Sequence, residues 1–163
     1  MNVWCGELGN RLIGTFVFDN SLTGNTYEAF LRNELPGLLE NIPLMIRSQM
    51  YFQHDGAPPH YTRRVREYLN DCFPNRWVGH GGPVAWPPRS PVLTPLDYYL
   101  WGHMKTLVYE TKVKSRAALH NRIFAVAEHI RNHPANVASA TQSLLMYAEK
   151  CIATGGGHFE QLL

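Results

Sequence analysis

The segment His54-Asp55-Gly56-Ala57-Pro58-Pro59-His60 sets a carboxylate between two imidazoles, directly after the apolar run Met50-Tyr51-Phe52. An acid at the end of a strand, followed at once by a glycine turn, stands where ligand sites of α/β sheets collect. A second acid, Asp97, closes the stretch Trp86-Pro87-Pro88-Arg89-Ser90-Pro91-Val92-Leu93-Thr94-Pro95-Leu96-Asp97. Paired acids suit phosphodiester chemistry. Two divalent ions about 3.5–4 Å apart activate the attacking oxygen and stabilise the leaving one. Mg²⁺ takes hard oxygen ligands and keeps several waters, so a few carboxylates suffice. Two acids hold an ion weakly, and a third is expected.

Each acid also has a plainer reading. Asp-Gly is a common turn pair, which alone accounts for Asp55 and Gly56. Thr94-Pro95-Leu96-Asp97 resembles a capping box, with Thr as N-cap, Pro at the first helical position and an acid at the third. An acid there gains roughly 0.3–1 kcal/mol from the helix dipole without any catalytic role. Capping and metal binding are compatible, because the first turn of a helix lies at the rim of a sheet.

Nucleic acid is suggested by two further groups. Arg63, Arg64 and Arg66 crowd about one helical turn just after the first acid, although a solvated helix face reads the same way. Trp86, Arg89 and Ser90 in the proline-rich segment offer base stacking and phosphate contacts; a rigid surface loop with a buried Trp is the alternative. The histidines, among them His54, His60, His80 and His103, are scattered, which favours surface or core roles over zinc ligation. A metal-dependent hydrolase of small substrates, built on His54, Asp55 and His60, is the least supported option.

The elements that must position these residues follow from patterning. Met1 to Cys5 and Leu12 to Phe18 read as two strands of a hairpin joined through Gly6 to Arg11. Thr23 caps a helix reaching about Leu39, with Tyr27, Phe30, Leu31, Leu35, Leu38 and Leu39 at helical spacing and Pro36 in conflict with it. Met50 to His54 is a short buried strand. A helix from Tyr61 or Thr62 to Cys72 follows, with Val65, Tyr68, Leu69 and Cys72 as its apolar stripe. Arg76 to Gly79 is another strand. Residues 80–95, with five prolines, form a loop long enough to suggest function. Helices resume over Pro95 to Tyr109, with Leu100 and Trp101 in the core. Ser115 to Asn132 and Ala135 to Ala153 make a C-terminal helical pair over 115–153, ended by Gly155-Gly156-Gly157. This is an α/β or α+β pattern with a small mixed sheet.

Bulk properties bound the choices. A chain of 163 residues, 45% hydrophobic, is one domain by the usual prior and buries one sizeable core. A net charge of +2 decides nothing about nucleic acid. The three cysteines, Cys5, Cys72 and Cys151, have neither disulfide-framework nor zinc spacing. No signal peptide opens the chain and no apolar run nears a membrane span, so no membrane partner is expected. A reducing compartment fits, cytosol or nucleus.

Taken together, His54-Asp55-Gly56-Ala57-Pro58-Pro59-His60, then Trp86-Pro87-Pro88-Arg89-Ser90-Pro91, then Leu93-Thr94-Pro95-Leu96-Asp97-Tyr98-Tyr99-Leu100-Trp101-Gly102, closely resemble mariner-type transposases. The resemblance runs from Val3-Trp4-Cys5-Gly6 to Gly156-Gly157-His158-Phe159. It implies an RNase H-like catalytic core over residues 1–163, with 80–95 as an active-site loop. It implies Mg²⁺ or Mn²⁺ where the site is complete, transposon-end DNA and a second copy as partners, and nuclear localisation. Asp55 and Asp97 take the places of the second and third acids of the family's triad. Val92 stands where the family commonly has Asp. The first acid belongs to a strand that precedes the counterpart of Met1 to Cys5, and the helix-turn-helix region lies further upstream; neither is in this sequence. Asp19, in the turn-like Asp19-Asn20-Ser21, does not replace that acid. The missing strand is the central one of the sheet, so its neighbours are expected to be left unpaired or to pair with each other in a new arrangement. The resemblance therefore implies a transposase fragment inactive in strand transfer by itself. The alternative is a non-catalytic, domesticated nucleic-acid-binding protein.

Overall fold

The structure, a computed structural model, describes residues 1–85 and 94–153. Trp86, Arg89, Ser90, Val92 and the Gly155-Gly156-Gly157 stop lie outside the described residues. The chain forms two compact units: Met1–Trp4 with Phe16–Arg89, and Cys5–Thr15 with Ser90–Leu163.

The first two strands, β1 (Asn2–Leu8) and β2 (Arg11–Phe18), pair as a two-stranded sheet. Their connection is only Gly9-Asn10, tighter than the Gly6 to Arg11 link expected from sequence. Gly9 adopts φ +61, the left-handed geometry at the first position of a primed hairpin turn. That turn lets pairing continue to Leu8 and resume at Arg11.

In the first unit, Thr23 caps α1 (Gly24–Asn33) reciprocally. The Thr26 amide donates to Thr23 Oγ1 at 3.2 Å, and the Thr23 amide donates to Thr26 Oγ1 at 2.8 Å. The helix stops at Asn33 rather than Leu39. The chain restarts as α2 (Leu35–Leu38), with Pro36 in its first turn, where a missing N–H costs nothing. The conflict at Pro36 is thus resolved by breaking one helix into two. A short helix that the sequence pattern did not suggest, α3 (Leu44–Gln49), precedes β3 (Phe52–Gln53). A 3₁₀ turn (Pro58–Tyr61) and α4 (Arg63–Cys72) lead to β4 (Trp77–Gly79) and β5 (Val84–Ala85). β3, β4 and β5 form a parallel sheet in that order.

The core of this unit is the seam of α1 with α4. Tyr27, Phe30 and Leu31 are buried on one helix and Val65, Tyr68 and Leu69 on the other. Each such side chain contributes roughly 1.5–3 kcal/mol by leaving water. The polar tips are satisfied: Tyr68 Oη donates to the Leu31 carbonyl at 2.7 Å, and Trp77 Nε1 donates to Asn70 Oδ1 at 2.9 Å.

In the second unit, a π-helical turn (Leu96–Leu100) runs into α5 (Trp101–Val108), followed by α6 (Arg116–Arg131) and α7 (Pro134–Ala153). Ser115 caps α6 by accepting from the Ala118 amide at 3.1 Å. Arg122 clamps the end of α5, donating to the carbonyls of Val108 at 3.0 Å and Thr111 at 2.5 Å. Leu100, Met104, Val108, Ile123, Ala127, Ile130 and Val137 are buried. Trp101 is only half-buried, unlike its neighbour Leu100. No described helix is long and apolar enough to cross a membrane.

The mixed α+β class agrees with the sequence pattern. The described strands form two sheets, β1-β2 and β3-β4-β5.

Candidate metal and nucleic-acid site

Strand β3 delivers the first acid. The Phe52 amide donates to the Arg76 carbonyl at 2.9 Å and the His54 amide to the Val78 carbonyl at 3.1 Å. Pairing with β4 therefore persists to the residue before Asp55. There the chain turns. Asp55 Oδ1 accepts from the Ala57 amide at 3.0 Å, an Asx-type turn two residues on. The turn reading and the site reading of Asp55 thus describe one geometry. Pro58 and Pro59 open the 3₁₀ turn, which brings His60 back to the acid. His60 Nδ1 lies 2.5 Å from the same Asp55 Oδ1.

This imidazole bond is the main influence holding the Asp55 carboxyl below the usual range, against partial burial and with help from the Ala57 amide. An ionised carboxylate only accepts, so His60 Nδ1 carries the proton and donates it. The Asp55 side chain is 46% exposed. Both bonds fall on Oδ1, and Oδ2 takes part in neither.

His54 is buried, and neither of its ring nitrogens finds a hydrogen-bond partner among the described residues. Its ring stacks on His60 at 5.2 Å and 7° and meets Trp77 edge-on at 5.7 Å and 88°. Burial first, then the neighbouring His60, pushes its pKa down to about 3, with Asp55 pulling the other way. His54 is therefore a neutral packing element under Asp55. Gly79 makes room for it: a Cβ there would lie 2.5 Å from His54 Cδ2 and Nε2.

Asp97 belongs to the second unit and is exposed in the first turn of the Leu96–Leu100 helical segment. The expected capping box does not form. Its amide, which such a box would give to Thr94 Oγ1, donates instead to the Thr94 carbonyl at 2.9 Å. Pro95 is already helical at φ −53, ψ −32, and Thr94 Oγ1 is buried without a hydrogen-bond partner among the described residues. The plainer reading of Thr94 fails on geometry. Asp97 keeps its place at the positive end of a helix.

The three arginines differ. Arg63 pairs with Glu67 at 2.7 Å. Arg66 lies against the turn after β4, so that a Cβ at Gly81 would be 2.9 Å from its Nη1. Arg64 is exposed and enters no ion pair among the described residues. All three sit at the start of α4, where no acid complements the dipole.

Two features escaped the sequence reading. One histidine pair does have i, i+4 spacing: His129 and His133, exposed at the end of α6 with rings 4.4 Å apart. His133 Nδ1 is bonded to the His129 carbonyl at 2.7 Å, so a backbone interaction accounts for that nitrogen. The other is Glu7. Both carboxylate oxygens are buried without partners among the described residues, and burial raises the pKa to about 7. Alternation along β1 was the available signal: Glu7 shares a face with Cys5, which is buried.

Among the described residues no three metal-capable side chains converge. Asp55 by itself has the right chemistry for a hard divalent ion: ionised, half-exposed, with one oxygen outside its internal bonds. Mg²⁺ sites commonly use only one or two carboxylates and leave the rest of the shell to water and substrate phosphates, so Asp55 fits as one such ligand.

The layout described above is a mixed α+β fold. Three solved structures of the Mos1 mariner transposase share it. The Mos1 catalytic domain with raltegravir and Mn superposes with TM-score 0.73 at 23% identity, over 93% of this chain and 74% of that one. The Mos1 mariner paired end complex with Mn gives TM-score 0.74 at 23% identity, over 93% of this chain but 43% of that one. The Mos1 catalytic domain by itself gives TM-score 0.68 at 20% identity, over 98% and 82%. No protein-family model matches the sequence, and neither does any curated protein.

Proposed function

We propose that this chain is a fragment of a mariner-type transposase that binds DNA, with Asp55 and Asp97 as the acids available to Mg²⁺ or Mn²⁺. The observation that carries the reading is the state of Asp55. A strand end, an Asx turn and an imidazole hold one carboxylate ionised and oriented, on a fold shared with Mos1 catalytic-domain structures. A turn residue has no need of the imidazole. A divalent ion, when bound, supplies charge stabilisation at the transferring phosphate. Asp55 would hold it, and His60 and the Ala57 amide fix the direction of Asp55. Arg64, and Arg63 and Arg66 with it, would meet the phosphate backbone. Nuclear localisation and self-association belong to the same proposal.

Strand transfer by this chain by itself is not expected. The test is incubation of the purified chain with labelled duplex DNA and Mg²⁺ or Mn²⁺. No cleavage is expected; nicking that disappears in Asp55→Ala would overturn the inactivity. A second reading, a non-catalytic DNA-binding protein, is favoured by the arginines at the start of α4. It predicts binding that weakens with salt, with a shallower salt slope after Arg63→Ala, Arg64→Ala and Arg66→Ala combined. An unchanged slope would remove the arginines from the interface.

A further inference from the structure

We infer that His60 is a positioning residue for Asp55: it fixes the carboxylate so that Oδ2 faces a divalent ion. The inference rests on the reading of Asp55 as a metal ligand and adds how that ligand is aimed. Three observations support it.

The first is the bond itself. His60 Nδ1 and the Ala57 amide both donate to Oδ1, at 2.5 and 3.0 Å. Two donors on one oxygen set the rotation of the carboxylate about its last bond and direct the other oxygen away from them. A carboxylate with one donor could still swing.

The second is that the imidazole is itself held. One face stacks on His54 at 5.2 Å with 7° between planes, and Tyr27 lies 4.5 Å away at 38°. Both neighbours are buried, and the His60 side chain is only 18% exposed. A ring clamped in this way presents Nδ1 in one direction. His54, which makes no side-chain hydrogen bond among the described residues, thereby gains a use as one jaw of the clamp.

The third is asymmetry of exposure. The acid is 46% exposed and its imidazole partner 18%. The orienting group is shielded while the oriented group meets solvent. Metal ligands are generally oriented by such outer partners, and losing one typically lowers metal affinity 10–100-fold.

The experiment is Mn²⁺ binding to the full chain, read by the loss of the free-ion electron paramagnetic resonance signal, for wild type, Asp55→Asn, His60→Ala and His60→Asn. The Asn amide keeps a donor near the Nδ1 position. Circular dichroism and Tm for each variant establish folding. The expected result is binding abolished in Asp55→Asn, weakened about 10–100-fold in His60→Ala and largely recovered in His60→Asn, whatever the order of Tm values. Binding lost in Asp55→Asn but unchanged in His60→Ala overturns the positioning role and leaves the metal reading standing. Binding unchanged in Asp55→Asn overturns the metal reading, and the positioning role with it. Affinity in both His60 variants that tracks Tm alone, without recovery in His60→Asn, reduces His60 to a packing residue and also overturns the inference.

Discussion

Replacing Glu7 with Gln should make the protein more stable at alkaline pH and leave it nearly unchanged at acid pH. Glu7 lies on β1 with both carboxylate oxygens buried and no partner among the described residues. Desolvation raises its pKa from 4.5 to about 7. The native state therefore holds a proton that the unfolded chain releases. The favourable contribution of that proton is fully present below pH 4.5 and is lost as pH rises through 7. The full displacement corresponds to roughly 3 kcal/mol at 1.36 kcal/mol per unit. Because part of Glu7 still meets water, solvent screening reduces this to about 1–3 kcal/mol. Urea unfolding followed by far-UV circular dichroism at pH 4.5, 6, 7 and 8 measures the effect. Glu7→Gln should match wild type within about 0.5 kcal/mol at pH 4.5 and exceed it by about 1–3 kcal/mol at pH 8. Glu7→Met, of similar length and apolar, should show the same trend. A difference between variant and wild type that stays constant with pH would refute the reasoning, because a packing effect has no reason to follow titration.

Two further substitutions follow from close contacts. Gly79→Ala would press a methyl group onto the His54 ring and should cost about 1–3 kcal/mol; thermal melts of Gly79→Ala with and without His54→Ala should show the second change relieving the first. Arg122→Ala removes the donor that closes the end of α5 and should cost about 1–2 kcal/mol, with faster amide exchange confined to the segment between α5 and α6.

What the sequence disclosed depended on how local the cause was. Thr23 was legible as a cap because it bonds within its own first turn. Pro36 was legible as a conflict, and its resolution into two helices obeys the same local rule. Thr94 was not, because two acceptors compete for the Asp97 amide and only the backbone trace decides between carbonyl and hydroxyl. Asp55 was visible as a candidate from its neighbours, whereas its orientation came from a ring five residues on, placed by two prolines. The stack of His54 on His60 and the burial of Glu7 are products of packing around them, which residue type alone does not encode. α3 was missed because none of its residues is buried, so it carries no apolar periodicity to detect.

The two prolines between Asp55 and His60 have a consequence for entropy. Pro58 and Pro59 each have φ restricted near −65° before the protein folds, so the short bridge from acid to imidazole has few conformations to surrender. Ordering is largely complete in the free protein, and a ligand arriving at Asp55 finds little left to freeze. Its binding should then carry a small conformational penalty, with the favourable part of the interaction appearing as affinity rather than being consumed in arranging the loop. Replacing both prolines with alanine would move that cost from the folding of the chain to the moment of binding.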